Sequence, residues 1–175
     1  SGSGKSMTAL SIMRLLPGGA QTSGVVALDG EDLTAKSEAE MCRVRGARVG
    51  MVFQEPMTAL NPVQTIGAQV AEVIRIHGAS ADPEAAAREA LARAGLPPDR
   101  FPLSRYPHDL SGGQRHRVVI AMATALRPRL LIADEPTTAL DVTTQATILD
   151  LLKRLAREDG SGLLMITHDL AVVAE

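Results

Sequence analysis

Apolar residues in this chain follow two different periods, and the change between them divides it. Short apolar-rich stretches recur at Arg48 to Phe53 (RVGMVF), Leu130 to Ala133 (LLIA) and Leu163 to Thr167 (LLMIT). Brief runs without polar alternation predict strands buried on both faces of a parallel sheet. Elsewhere the spacing is helical. Lys5 to Leu16 predicts a helix with a broad apolar side, stopped by Pro17-Gly18-Gly19. Ser37 to Arg45 predicts a short polar helix capped by Ser37. Val25 to Leu28 and Glu31 to Leu33 predict a strand pair around Asp29-Gly30, a dipeptide that tolerates the positive φ of a tight turn.

From Glu55 to about Leu126 the pattern is helical and interrupted by Pro56, Pro62, Gly67, Gly78, Pro83, Gly95, Pro97 and Pro98. Ile66, Val70, Val73, Ile74 and Ile76 mark one helix, and Asp82 to Ala94 a second that opens on Asp-Pro-Glu. Thr143 to Arg157 is an amphipathic helix between the last two strands. The expected architecture is an α/β core, about 1–54 and 127–175, with a helical insertion at about 55–126.

The 175 residues are 45% apolar, and no apolar run approaches the ~18 residues of a membrane helix. Eighteen basic residues against 20 acidic leave a net charge of −2, so bulk charge gives no pull toward nucleic acid. With 2% aromatics and no interleaving of rings, Arg43, Arg45 and Arg48 read as a solvated face. The single cysteine, Cys42, fits a reducing compartment and is expected to be half-buried. His77, His108 and His116 form no metal-ligand spacing with it and are expected at the surface or at helix ends. Arg115 and Arg117 are expected near a partner or an anionic ligand.

Candidate chemistry changes this picture at three places. Ser1-Gly2-Ser3-Gly4-Lys5-Ser6 precedes the first helix. Glycines there let backbone N–H groups turn toward an anion, and the positive helix end adds to the field. In a phosphate loop, G-x-x-x-x-G-K-[ST], Lys5 reaches the β- and γ-phosphates and the Ser6 hydroxyl coordinates Mg2+. The first glycine of that pattern would lie one residue before Ser1, and Glu175 falls within a helical pattern. The chain is therefore expected to be a piece of a longer protein, truncated at both ends.

The second place is the apolar strand that ends in Asp134-Glu135. A carboxylate at such a strand end can hold Mg2+, and Glu135 is placed to accept a proton from attacking water. The third is Leu110-Ser111-Gly112-Gly113-Gln114-Arg115, which opens a helix running through Val118, Val119, Ala121 and Met122. Its N-terminus is a second anion site, and one chain does not need two for one nucleotide.

In this order the motifs resemble the nucleotide-binding domain of ABC transporters, from Ser1 to about Leu170. The resemblance implies a phosphate-loop NTPase core of mostly parallel sheet with an inserted α-helical subdomain, and ATP and Mg2+ as cofactors. It implies a head-to-tail dimer in which each nucleotide lies between one subunit's phosphate loop and the other's LSGGQ. Gln54 then matches the Q-loop glutamine, Ala139-Leu140-Asp141 the D-loop that meets the opposite subunit, and His168 the switch histidine. The implied catalytic set is Glu135, His168 and Gln54, and the metal set is Ser6, Gln54 and Asp134. Nucleotide contacts fall to Ser1, Gly2, Ser3, Gly4, Lys5, Ser6, Ser111, Gly112, Gly113, Gln114 and Asp141.

Phe53-Gln54-Glu55-Pro56-Met57-Thr58-Ala59-Leu60-Asn61-Pro62 and Tyr106-Pro107-His108-Asp109 are similar to the ATP-binding subunits of oligopeptide and dipeptide importers. That branch also serves nickel and glutathione. Gln114 and His116 depart from it, standing where Met and Gln are more usual. The resemblance implies an ATP-hydrolysing subunit, peripheral at the cytoplasmic face of the inner membrane. Its implied partners are a second ATPase subunit, like or unlike, two transmembrane permease subunits and a substrate-binding protein, with no nucleic acid. Two alternatives stay open: a soluble ABC ATPase acting on nucleic acid or ribosomes, and a phosphonate-utilisation ATP-binding subunit. The soluble enzymes usually carry basic or coiled-coil insertions, and no such stretch is visible in the sequence.

Overall fold

Three parallel strands bring the apolar runs side by side. The computed structural model describes residues 4–54, 58–138 and 140–167. In chain order these form α1 (Lys5–Ile12), the short pair β1 (Ala27–Leu28) and β2 (Glu31–Asp32), α2 (Glu38–Val44) and β3 (Val49–Val52). Then follow α3 (Ile66–Ile76), α4 (Pro83–Arg93), a 3-10 turn at Pro107–Asp109, α5 (Gly112–Thr124), β4 (Leu130–Asp134), α6 (Val142–Asp159) and β5 (Gly162–Ile166).

The sheet order is β3-β4-β5, all parallel, with Val52 beside Ala133 and Asp134 beside Ile166. Alternate residues face opposite layers. Val49, Met51, Ile132 and Ile166 share a core with Ala9, Met13, Leu33, Met41 and Val44. Val52, Leu131 and Ala133 pack instead with Val118, Ile120, Ile148, Leu152 and Leu155. Both faces are covered, which is why these strands read as unbroken apolar runs. The fold is the expected α/β class, with α3, α4 and α5 inserted between β3 and β4.

Each inserted helix starts on a side-chain cap. Thr65 accepts from the Ala68 N–H, Asp82 from the Ala85 N–H, and Ser111 from the Gln114 N–H. Helices α3 and α4 end on glycines in the left-handed region, Gly78 and Gly95, whose following residues donate back to Ile74 and Leu91. Helix α5 touches α3, α4, α6 and β3, so a single apolar cluster runs from the insertion into the sheet.

Helix α1 is shorter than its apolar pattern predicts. It stops at Ile12 because Arg14 takes φ 51 and closes the helix end: its N–H donates to Ser11 and the Leu15 N–H to Leu10. Arginine holds a position that glycine usually fills, and its guanidinium donates to the Lys36 carbonyl. Of this helix only Ala9 is buried, while Met7 and Leu15 are exposed. The predicted strand pair forms with two residues on each side, its turn carrying φ 52 at Asp29 and φ 80 at Gly30.

The closest approach in the core is at Gly50, in the middle of β3. A Cβ there would lie 2.3 Å from the Ala123 carbonyl oxygen on α5 and 3.0 Å from the Pro128 ring. Gly50→Ala is therefore expected to lift α5 from the sheet and destabilise the chain by about 1–3 kcal/mol. Urea denaturation checks this, as a lowered midpoint relative to the parent chain.

Candidate functional site

Parallel strands end together, and their carboxyl ends form one edge where loops carry polar groups. At that edge Asp134, the last residue of β4, is 4% exposed. Its Oδ1 is fully buried and has no hydrogen-bond partner among the described residues. A buried carboxylate oxygen without a partner is costly, and native folds keep one where a ligand or ion completes it.

Glu135 follows with φ 47, a left-handed conformation rarely held by a residue with a side chain. Its N–H donates to the Ile166 carbonyl at 2.8 Å, tying the end of β4 to the end of β5. Its Oε2 accepts from Gln54 Nε2 and from Thr138 Oγ1, each at 3.2 Å. Gln54 thus reaches from the end of β3 to a carboxylate 81 residues away.

Helix α1 lies against β4 and starts from Gly4, whose φ of 75 suits a residue with no Cβ. Lys5 Nζ donates to the Thr167 carbonyl at 3.2 Å, just past β5. Ser6 is half-buried in the first turn. Gly4, Lys5, Ser6, Gln54, Asp134 and Glu135 therefore all stand where the three strands end. Ser1, Gly2, Ser3, Ala139 and His168 lie outside the described residues.

Among the described residues no three His, Cys, Asp or Glu side chains form a metal-holding group. The other oxygen-bearing side chains assigned to this edge are the Ser6 hydroxyl and the Gln54 amide. One carboxylate with neutral oxygens suits Mg2+, which keeps waters and takes phosphate oxygens for the rest of its shell. The orphaned Oδ1 of Asp134 fits that role.

Ser111 to Gln114 form a separate feature at the start of α5. The Ser111 and Gln114 side chains each accept the other's backbone N–H, at 3.3 and 2.9 Å, which fixes the turn. A Cβ on Gly113 would come within 3.1 Å of the Thr144 methyl, so this turn sits beside the start of α6. Asp141 caps that helix. Its Oδ1 accepts the Thr144 N–H at 3.0 Å and its Oδ2 the Thr144 hydroxyl at 2.6 Å. These bonds hold the Asp141 carboxyl below the usual carboxylate range.

Several sequence expectations are corrected here. His116 is not at the surface: it is 1% exposed, because α5 is enclosed by α3, α4 and α6. Its Nε2 has no partner among the described residues, and burial pushes its pKa down to about 4. Arg115 and Arg117 also bond within the chain, to the carbonyls of Leu110 (3.0 Å) and Ala94 (3.1 Å), which does not contradict the expected approach of a partner or an anionic ligand. Cys42 is exposed, not half-buried. Arg45 and Arg48 are not loose on a solvated face; they pair with Glu38 and with Glu31 and Asp29. The sequence reading missed Thr138, whose only signal was its place three residues beyond Glu135 across Pro136.

The family model described as ABC transporter matches residues 1–138. The chain belongs to the ABC transporter family. It is 55% identical over its whole length to a protein of Brucella melitensis provisionally named a peptide import ATP-binding protein, of which it covers 54%. It is 52% identical over its whole length to the glutathione import ATP-binding protein GsiA of Salmonella typhimurium, covering 30% of it. The chain thus spans about half or less of the length of these curated relatives. Among solved structures it matches the dimeric post-hydrolysis state of the ATP-binding cassette MJ0796 bound to ADP and Pi. There the TM-score is 0.80 at 35% identity, over 98% of this chain and 72% of that one. A second dimeric structure of MJ0796, described as a bacterial ABC transporter cassette, matches with TM-score 0.82 at 35% identity, over 99% of this chain and 74% of that one. The fold is that of an ABC cassette.

Burial of His116 has a consequence for acid stability. The fold accepts its neutral form, so with a folded pKa of about 4 against 6.5 the unfolded chain takes the proton first. Stability held above pH 6.5 is then lost as pH falls toward 4, by roughly 2 kcal/mol between pH 7 and 5 from this group. His116→Met is expected to shrink the drop in melting temperature between those two pH values; an unchanged drop would mean that the imidazole does not titrate in this way.

Proposed function

We propose that the chain is the nucleotide-binding part of an ATP-hydrolysing subunit that drives a membrane importer, with peptides as the cargo class. The observation that carries the chemistry is the meeting of Gln54, Glu135 and the orphaned Asp134 at the strand ends, beside the start of α1. Phosphates bind to the backbone around Gly4 and to Lys5, which leaves the Thr167 carbonyl to reach them. Mg2+, held by Ser6, Asp134 and Gln54, would supply charge neutralisation on the phosphates. Glu135 takes a proton from the attacking water, with Gln54 and His168 orienting the reacting groups. Catalysis of this kind is mostly positioning and charge stabilisation.

A second ATPase subunit, in head-to-tail arrangement, contributes its own Ser111 to Gln114 over the nucleotide, and Asp141 lies toward that partner. The arrangement accounts for two anion sites in one chain, and it is supported by the dimeric cassettes to which this chain is similar. Closure moves the helical subdomain, about 55–126, relative to the core, about 1–54 and 127–175. Two transmembrane permease subunits receive that motion at the cytoplasmic face of the membrane, where the subunit is peripheral, and a substrate-binding protein delivers cargo. Among the described residues no helix is long and apolar enough to cross a membrane, so the span would belong to such partners. The peptide class rests on the printed names of the relatives, one of peptide and one of glutathione import, itself a small peptide.

In the full-length protein, Glu135→Gln is expected to retain ATP binding, accumulate a closed dimer and lose turnover by about 10²-fold or more. Parallel measurements of nucleotide binding, dimer mass and phosphate release check it; turnover at the parent rate would contradict the role of Glu135. Purification from native membranes is expected to bring along two multi-span subunits, and copurifying ribosomes or nucleic acid would contradict the importer reading.

A further inference from the structure

Glu135 is gripped at several points by one short turn. Its carbonyl accepts the Thr138 N–H at 3.2 Å while its carboxylate accepts the Thr138 hydroxyl at the same distance. Thr138 therefore fixes both the main chain and the side chain of the same residue. Pro136, buried at the second position of the turn, presets φ there. Gln145 on α6 donates to the carbonyls of Thr137 (3.3 Å) and Leu140 (3.1 Å), anchoring the turn to the helix. A left-handed φ at a residue with a long side chain persists only where the surroundings over-determine it, and such strain clusters at functional sites.

Thr138 and Gln54 both reach Oε2 of Glu135, from the same turn and from the end of β3. Gln54 comes from the end of β3, ahead of the helical insertion. Thr138, in contrast, belongs to the same turn as Glu135 and stays with it if the insertion moves.

We propose that Thr138 is a positioning residue for Glu135, its hydroxyl and N–H holding the carboxylate and the turn so that the base is aimed at the attacking water. This rests on the reading of Glu135 as the general base. ATP turnover of the full-length protein, measured against ATP concentration for the parent, Thr138→Val, Thr138→Ala, Thr138→Ser and Glu135→Gln, tests it. Thr138→Val and Thr138→Ala are expected to lower kcat by about tenfold or more, the scale of one lost hydrogen bond to a charged group. KM for ATP should stay within about twofold, since the contact is to the base and not to the nucleotide. Thr138→Ser, which keeps the hydroxyl, should restore the rate. A parent-like kcat in Thr138→Val and Thr138→Ala, or a Thr138→Ser as impaired as they are, overturns the positioning role. If Glu135→Gln is inactive in that case, only the role of Thr138 falls; if Glu135→Gln turns over like the parent, the general-base reading falls first and the positioning role with it.

Discussion

A carboxylate oxygen at the end of β4, shut away from solvent and without a hydrogen-bond partner among the described residues, is the constraint around which this fold is arranged. Keeping Asp134 buried requires strands on both sides of it and helices on both faces of the sheet, and these are the layers the chain builds. The same parallel order brings the ends of β3, β4 and β5 to one edge, so Gln54, Glu135 and Thr167 arrive beside Asp134 without any further device. Helix α1 then rests on β4, and Lys5 closes the group by its bond to the Thr167 carbonyl. Each of these costs some stability: a buried unpaired oxygen and a left-handed Glu135. The extended apolar cluster behind the sheet offsets them.

Helix α5 is the element that links the insertion to that edge. Its start is the Ser111–Gln114 turn, its middle is buried through Val118 to Ala121, and its end meets Gly50 in β3 at the closest approach in the core. A displacement of α3 and α4 is therefore passed to β3 and α6 through packed side chains, since interiors are dense and poorly compressible. Gln54 lies one residue beyond Phe53 at the end of β3, so the same contact reaches the Glu135 carboxylate. This is a mechanical route between the helical insertion and the edge where the strands end, built from one helix and one strand.

Much of this was legible because it depends on local chemistry. Unbroken apolar runs announced the buried parallel strands, and Ser37, Asp82 and Ser111 announced helix starts because short polar side chains satisfy the first N–H groups. Gly78 and Gly95 marked the ends of α3 and α4, since left-handed closure favours glycine. The end of α1 was illegible for the same reason: Arg14 makes that closure, and nothing in an arginine signals a positive φ. His116 between two arginines reads as surface, and only the enclosure of α5 by its neighbours buries it. The motifs marked Lys5, Asp134 and Glu135 as chemistry, but the bonds that arm them are long-range or conformational. Lys5 to Thr167 spans 162 residues, and the grip of Thr138 depends on a turn whose shape the residue types do not dictate.

The proposed role of Asp134 is to hold a metal bound alongside nucleotide. Calorimetric titration of ATP into the full-length protein, with Mg2+ and with EDTA, tests it most directly, in the parent and in Asp134→Asn. The parent should bind ATP more tightly with Mg2+, and Asp134→Asn should lose that gain while keeping its affinity in EDTA. An equal gain from Mg2+ in both proteins would show that the buried carboxylate serves no metal.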